Sequence, residues 1–358
     1  MTRRIAFRFA MAAAAAAVAW PLSSLSAAQP EEVPPDDGIF LEVPPPESAY
    51  SQALEELLVP RSAPESQRMR IKSVISLTGL FDTSQGPISV CFFDGTDALA
   101  RRVAKAARAW ELPATSVKFD FGDAASPRRC TAGSSAAVRI SFNGVGTWSV
   151  IGLKARFASD ATMSFDQRRD WLALNQRDFN RIVQHEFGHA LGLYHEHQHP
   201  AVRCSDEIDW TKAMALYQGA NYNLSEDVIR RNFEVLLTAY EASEFDEKSI
   251  MLYEIPSSIF RSELFSAGGK PACYIENRVY EISEGDVAMV REFFSSDLER
   301  VRAMRLAAFE KYRSLVASTE GGDKALGLAS AFYPFNDVSD AKPYVSYGQN
   351  LMQIQLRK

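Results

Sequence analysis

An α+β fold is what the sequence predicts, and three observations lead to it. The 358 residues are 46% apolar, 11% aromatic and 23% charged, an ordinary globular composition long enough for one to three domains with a sizeable core. Short apolar runs with polar neighbours at every second position recur between residues 88 and 165, as in half-buried strands. Apolar residues at helical spacing recur over 96–110, 177–191 and 283–318. There is no internal repeat. Lys and Arg total 39 against 45 acids, for a net charge of −6. That balance lacks the basic footprint nucleic acid requires, so no nucleic-acid partner is expected.

Residues 1–28 read as an export signal peptide. Arg3, Arg4 and Arg8 open it, an Ala-rich apolar stretch follows over 9–20, and Ser26-Ala27-Ala28 supplies small residues for cleavage. The stretch is short and Pro21 interrupts it, so no stable membrane anchor is expected once the signal is removed. The expected location is secreted or periplasmic. Residues 29–70 are rich in Pro and acids, in runs such as PEEVPPDD and VPPPES, and read as a linker or pro-segment with a short helix candidate at 50–59.

From residue 71 the pattern becomes globular, and a catalytic domain is expected over 71–296. Residues 88–93 suit a strand, Asp94-Gly95 breaks it, and 96–110 reads as a helix with Leu99, Val103, Ala106, Ala107 and Trp110 on one face. Val117, Phe119 and Phe121 alternate as one strand, Val138, Ile140 and Phe142 as another, and 161–165 is a third candidate. The helix over 177–191 buries Ile182, Val183, Phe187, Ala190 and Leu191, with Gly192 where a helix-ending glycine belongs. A Ser-led helix is expected over 283–294. Ser296 and Glu299 form a capping-box pattern opening a helix to about residue 318, with Leu298, Val301, Met304, Ala308, Tyr312 and Leu315 as its apolar stripe. Met352, Ile354 and Leu356 alternate as a terminal strand. The segment 297–358 is expected to be a helical and strand extension of unknown role.

Four cysteines in an exported chain favour two disulfides, with three possible connectivities. The expected pairs are Cys91–Cys130 and Cys204–Cys273, which leave one bridge on each side of the histidines. A cysteine-ligated zinc is disfavoured because no close C-x-x-C pair exists.

All five histidines lie between His185 and His199. In His185-Glu186-Phe187-Gly188-His189 two imidazoles stand one helical turn apart on the same face, so both can reach one zinc ion, while Glu186 can reach a metal-bound water. Gly192 permits the positive φ that ends the helix, letting the chain return with His195 as a third ligand. Three imidazoles leave a fourth position open for catalysis. His197 and His199 lack the spacing and are read as packing or surface residues.

The run HEFGHALGLYHEH matches the metzincin signature HExxHxxGxxH. Glu196 after the third histidine, and Ser249-Ile250-Met251-Leu252-Tyr253 downstream, resemble the astacin branch in particular, with a departure at Leu193 where Phe is usual. The resemblance covers roughly 88–294. It implies a two-subdomain zinc protease, with a twisted sheet and an active-site helix above a less regular lower subdomain. It implies one zinc on His185, His189 and His195, Glu186 as general base and acid, Met251 as the apolar floor, and Tyr253 as a switchable ligand that stabilises the oxyanion. The implied activity is a secreted endopeptidase that hydrolyses peptide bonds with zinc-activated water, on protein or peptide substrates.

Substrate is expected to bind as an extended strand beside residues 161–165. Trp148 is read as a packed core residue, with a place in the cleft as the alternative. Residues 29–85 hold no cysteine for a cysteine switch, and Asp36 and Asp37 are the nominees for an acidic one. The alternative function is a secreted zinc-containing binding or adhesion module with little turnover, against which an intact Glu186 argues. A zinc hydrolase acting on a non-protein amide is a third reading, disfavoured by the SIMLY turn.

Overall fold

The computed structural model describes residues 58–64, 66–68, 80–131, 133–152, 155, 160–219, 222–233 and 244–332. The signal peptide, nearly all of the helix candidate at 50–59 and the terminal strand at 352–356 lie outside them.

Among the described residues, five strands form one sheet in the order β2-β1-β3-β5-β4. These are β1 (Ile88–Phe92), β2 (Phe119–Asp120), β3 (Val138–Ser141), β4 (Trp148–Ser149) and β5 (Met163–Ser164). All neighbours are parallel except β4 and β5, which pair antiparallel with Trp148 opposite Ser164. The central β1 is nearly continuous in its apolar character, with Val90, Cys91 and Phe92 fully buried, as befits a strand covered on both faces. The strand expected over 161–165 is β5, and it is hydrogen-bonded on both sides, to β3 and β4. Among the described residues the edge strand on this side of the sheet is therefore β4, opposite the other edge strand β2, and its two residues are too short a run to show alternation in sequence. This corrects the expected substrate edge.

Helix α1 (Asp97–Ala107) is capped by Thr96, whose hydroxyl accepts from Leu99 N at 3.2 Å, and continues as a 3-10 turn to Trp110. Its stripe of Leu99, Val103, Ala106 and Ala107 is buried. Helix α2 (Gln176–Ala190) is capped by Asn175, which accepts from Arg177 N and Asp178 N. The Arg102 guanidinium, on α1, donates to Trp171 O at 2.8 Å and Leu174 O at 2.6 Å, and so fixes where α2 begins. Phe187 meets Phe119 edge-on at 5.0 Å between centroids, which seats α2 on the sheet.

Beyond α2 come α3 (Trp210–Tyr217), α4 (Glu226–Phe233), α5 (Glu284–Phe293), α6 (Leu298–Val316) and α7 (Gly322–Phe332). The helix expected over 283–294 is α5, opened by a capping box between Ser283 and Asp286. Helix α6 differs from expectation at its start. Asp297 is the cap, accepting from Glu299 N and Arg300 N, because Ser296 N is engaged by Ala114 O at 3.1 Å. Its buried face is also rotated. Val301, Arg305, Phe309, Tyr312 and Leu315 are buried, while Leu298 is 45% exposed. The rotation follows from Arg305, which turns inward to pair with Asp82 at 2.9 Å.

Two apolar cores result. The first gathers the sheet, α1, α2 and the buried faces of α6 and α7, together with Leu58, Val59, Ala63, Leu80 and Phe81. The second holds Ile208, Tyr217, Phe233, Tyr253, Ile259 and Phe260 around the Cys204–Cys273 bridge. Cys91, on β1, bonds Cys130. The two bridges close loops of 39 and 69 residues, each worth about 4 kcal/mol by the chain-entropy relation. The arrangement is the α+β, two-subdomain one the sequence implied. Among the described residues, no helix is long and apolar enough to cross a membrane.

Burial alone would raise the Asp82 carboxyl, but the hydrogen bond and charge of Arg305, with Ser84, hold it below its ordinary value. Such a group stabilises the fold fully above its unfolded pKa of about 3.9, and the contribution fades as pH falls through the lower native value. Asp82→Asn should therefore lower the urea midpoint at about pH 7, and the difference from the unsubstituted chain should shrink from about pH 4 downward. A difference that stays constant with pH would contradict this.

Candidate active site

Helix α2 carries His185, Glu186 and His189, all buried. Their spacing faces the two imidazoles the same way, and the Nε2 atoms lie 3.2 Å apart. The helix then stops abruptly. Gly192 takes φ +103°, its N–H donates to His189 O at 2.8 Å, and Leu193 N donates to Gly188 O at 3.0 Å. This is the paired hydrogen-bond closure of a Schellman motif, which needs a residue able to adopt positive φ. The chain comes back on itself, and His195 Nε2 ends 3.2 Å from His189 Nε2. One nitrogen from each of His185, His189 and His195 lies within 4.8 Å of the others.

Whether these rings suit a metal depends on where their protons sit. His185 Nδ1 lies 2.8 Å from Ile250 O, and His189 Nδ1 lies 2.7 Å from Leu193 O. A carbonyl only accepts, so in both neutral rings Nδ1 carries the hydrogen and Nε2 presents its lone pair. Two nitrogens held about 2.0–2.1 Å from a tetrahedral zinc stand about 3.3 Å apart, close to the separations here. The donor set fits one zinc ion.

The Ser249–Tyr253 segment supplies the floor. Met251 is 1% exposed, and a Cβ added at Gly188 would overlap its Sδ and press on Trp110. Only glycine at 188 lets the helix sit so close to the turn. Asp286 holds the turn, accepting from Ser249 Oγ at 2.6 Å and Ile250 N at 2.9 Å. Sequence reading missed Asp286 as a site residue. The local S-x-x-D pattern signals its capping role but not its reach to residues some 36 positions earlier. Burial pushes the Asp286 carboxyl up despite these bonds.

Tyr253 lies 5.1 Å from the His195 ring and 5.0 Å from the His197 ring, between centroids. His197 Nε2 faces Asn232 O at 2.6 Å and the residue is fully buried, so it packs in the second core and stands outside the triad. His199 Nδ1 accepts from Ala201 N at 3.1 Å. Glu196 N donates to Met251 O, and its carboxylate accepts from Asp246 N at 2.8 Å. Burial is the main cause that raises the Glu196 carboxyl to about 7, with Asp286 and Asp246 adding to it against the Asp246 hydrogen bond. Trp148 is 7% exposed on the edge strand β4.

Residues 99–213, from α1 through the imidazole triad to α3, match the family model of the matrixins. That match and the triad define the class of activity, a zinc metalloendopeptidase with zinc as cofactor, and the matched stretch is similar to metzincin-type proteases, which act on protein or peptide substrates. The matched model is that of the matrixins and does not confirm the astacin-like branch. Among solved structures the chain is similar to myroilysin, with 26% identity over 58% of this chain and 92% of that one, at a TM-score of 0.47. A second myroilysin crystal structure gives 26% identity over 58% and 82%, at a TM-score of 0.41. High choriolytic enzyme 1, a hatching-enzyme zinc protease from the medaka fish Oryzias latipes, gives 18% identity over 60% and 88%, at a TM-score of 0.36. No curated protein sequence matches the chain.

The contact between Gly188 and Met251 is testable by a double-mutant cycle. Gly188→Ala should cost about 1–3 kcal/mol by overpacking, and Met251→Ala about 2–5 kcal/mol by leaving a cavity. Together they should cost less than their sum by at least about 0.5 kcal/mol, read from urea unfolding. Simple additivity would mean the two residues do not share that space.

Proposed function

We propose that the chain is an exported, astacin-like endopeptidase in which His185, His189 and His195 bind the zinc, Glu186 shuttles the proton and Tyr253 stabilises the oxyanion. The convergence of three Nε2 atoms, two of them fixed in tautomer by backbone carbonyls, carries this reading. Glu196 directly after the third histidine and the SIMLY turn favour the astacin-like branch. The two disulfides and the basic, Ala-rich start of the chain favour export. The catalytic domain is taken as 71–296, after a signal peptide at 1–28 and a linker or pro-segment at 29–70.

Zinc, when bound, supplies a Lewis acid that acidifies water and polarises the peptide carbonyl. The rest is done by side chains and backbone. A substrate strand adds to the free edge of β4 through main-chain hydrogen bonds, which are largely indifferent to sequence. Glu186, buried next to His185, takes a proton from the attacking water and delivers it to the leaving amine nitrogen. The Tyr253 phenol, whose ring lies beside His195, donates a hydrogen bond to the carbonyl oxygen as charge builds on it. Met251 packs beneath, and Gly192 sets the return of the chain to His195. A non-catalytic zinc-binding module would have no use for a carboxylate buried on the ligand helix, so that reading ranks second.

Glu186→Gln decides between them. The variant should retain one zinc per chain while its turnover of an unfolded protein substrate drops by at least about 10²-fold. Equal cleavage by both forms would remove Glu186 as the base, and zinc binding without cleavage by either would favour the binding module. Tyr253→Phe should lower kcat by about 10²–10³-fold with little change in KM. A fall confined to KM would assign the phenol to substrate binding instead.

A further inference from the structure

The Schellman turn at Gly192 does two jobs for the site: it offers Leu193 O to His189, and it returns the chain to His195. Its inner side is held by those bonds. On its outer side stands Leu80, 6% exposed, whose Cδ2 occupies the space a Cβ at Gly192 would need. Two residues on, Asp82 pairs with Arg305 from the middle of α6. The two side chains are 13% and 8% exposed.

Arg305 is out of place as a packing residue. It stands on the buried face of α6 between Val301 and Phe309, where an aliphatic side chain would pack without the cost of desolvating a guanidinium. A buried pair of this kind adds little net stability over apolar packing, and its geometry here ties Asp82 to one place on α6. Helix α6 is itself firmly held. Its approach is pinned by Ser116 N donating to Phe294 O at 2.7 Å, and farther along Tyr312 Oη donates to Leu58 O at 2.8 Å and Gln67 Nε2 donates to Leu315 O. A fixed helix thus holds Asp82, Asp82 fixes the chain at Leu80, and Leu80 closes off the outer side of the Gly192 turn.

We infer that α6 braces the zinc-ligand turn, with Arg305 and Leu80 as positioning residues for His189 and His195. The inference rests on the reading that these histidines bind zinc. Without the brace the turn can move outward, Leu193 O leaves His189 Nδ1, and ligands that were preorganised must be ordered at the moment of binding. The segment after α5 then belongs functionally to the metal site as well as to the core.

The test measures metal affinity and ligand geometry on the full chain. Apo protein is titrated with zinc against a chromogenic chelator well below its unfolding temperature, and the cobalt(II) form is examined by its visible absorption. Arg305→Met should raise the zinc Kd about tenfold, as outer-shell changes at metal sites do, and weaken or shift the cobalt bands. Arg305→Lys should recover most of the affinity. Leu80→Ala, which leaves the ion pair intact, should show the same loss and serves if Arg305→Met does not fold. The double variant Cys91→Ser/Cys130→Ser, destabilised from within the sheet, should keep the wild-type zinc Kd. Unchanged Kd and cobalt spectrum in folded Arg305→Met and Leu80→Ala, whatever their melting temperatures, would overturn the brace. Failure of the unsubstituted chain to bind zinc would instead overturn the metal-site reading on which it rests.

Discussion

An imidazole on a helix can rotate about two bonds and carry its proton on either nitrogen until something outside the ring fixes both. Here the fixing groups are two backbone carbonyls, Ile250 O for His185 and Leu193 O for His189. Each belongs to a turn that the fold must first build. Leu193 O is in place only because Gly192 adopts positive φ, and Ile250 O only because Asp286 holds the turn from 249 to 251. Metal affinity in such a site follows from the tautomer and aim of the rings as much as from their number. Much of the surrounding architecture can be understood as support for those two carbonyls.

The segment from Ser249 to Tyr253 also joins the two cores. Met251 belongs to the first and packs against α2 at Gly188, whereas Tyr253, two residues later, belongs to the second and lies among Phe233, His197 and His195. One turn therefore carries the apolar floor and the phenol to opposite sides of a single boundary. The triad lies at that boundary, with α2 contributed from above and His195 already past the helix end. A displacement of either core relative to the other would change the distance from Tyr253 to His195.

The sequence reveals local features well and remote ones poorly. Histidine spacing on one helix foretells that three imidazoles converge, because periodicity and a single glycine determine it. The strand candidates at 88–93 and 138–142 and the helix at 177–191 are legible for the same reason: their apolar spacing is strong over a whole element. Strand β4 was not legible, since Trp148 and Ser149 are both buried and too few to alternate. Helices α3, α4 and α7 also escaped, being short or lacking a pronounced apolar stripe. The buried face of α6 was misjudged because Arg305 is charged and Leu298 apolar, and hydrophobicity alone cannot know that Asp82 waits opposite. Asp286 likewise shows its cap in sequence but not its grip on Ser249, which exists only once the chain has folded.

The bridge between Cys204 and Cys273 encloses Met251 and Tyr253 but none of the three histidines. The site is thus assembled from three imidazoles outside the cross-linked loop and from groups inside it: the floor, the phenol and the Ile250 carbonyl that orients His185. In a thiol-reducing environment the unfolded chain regains the entropy the bridge removed, and the second core loses stability with its cross-link. The phenol, the floor and the carbonyl that orients His185 would then lose their fixed distance from the imidazoles. One cysteine pair thus bears on both the aim of a ligand ring and the placement of the phenol beside it.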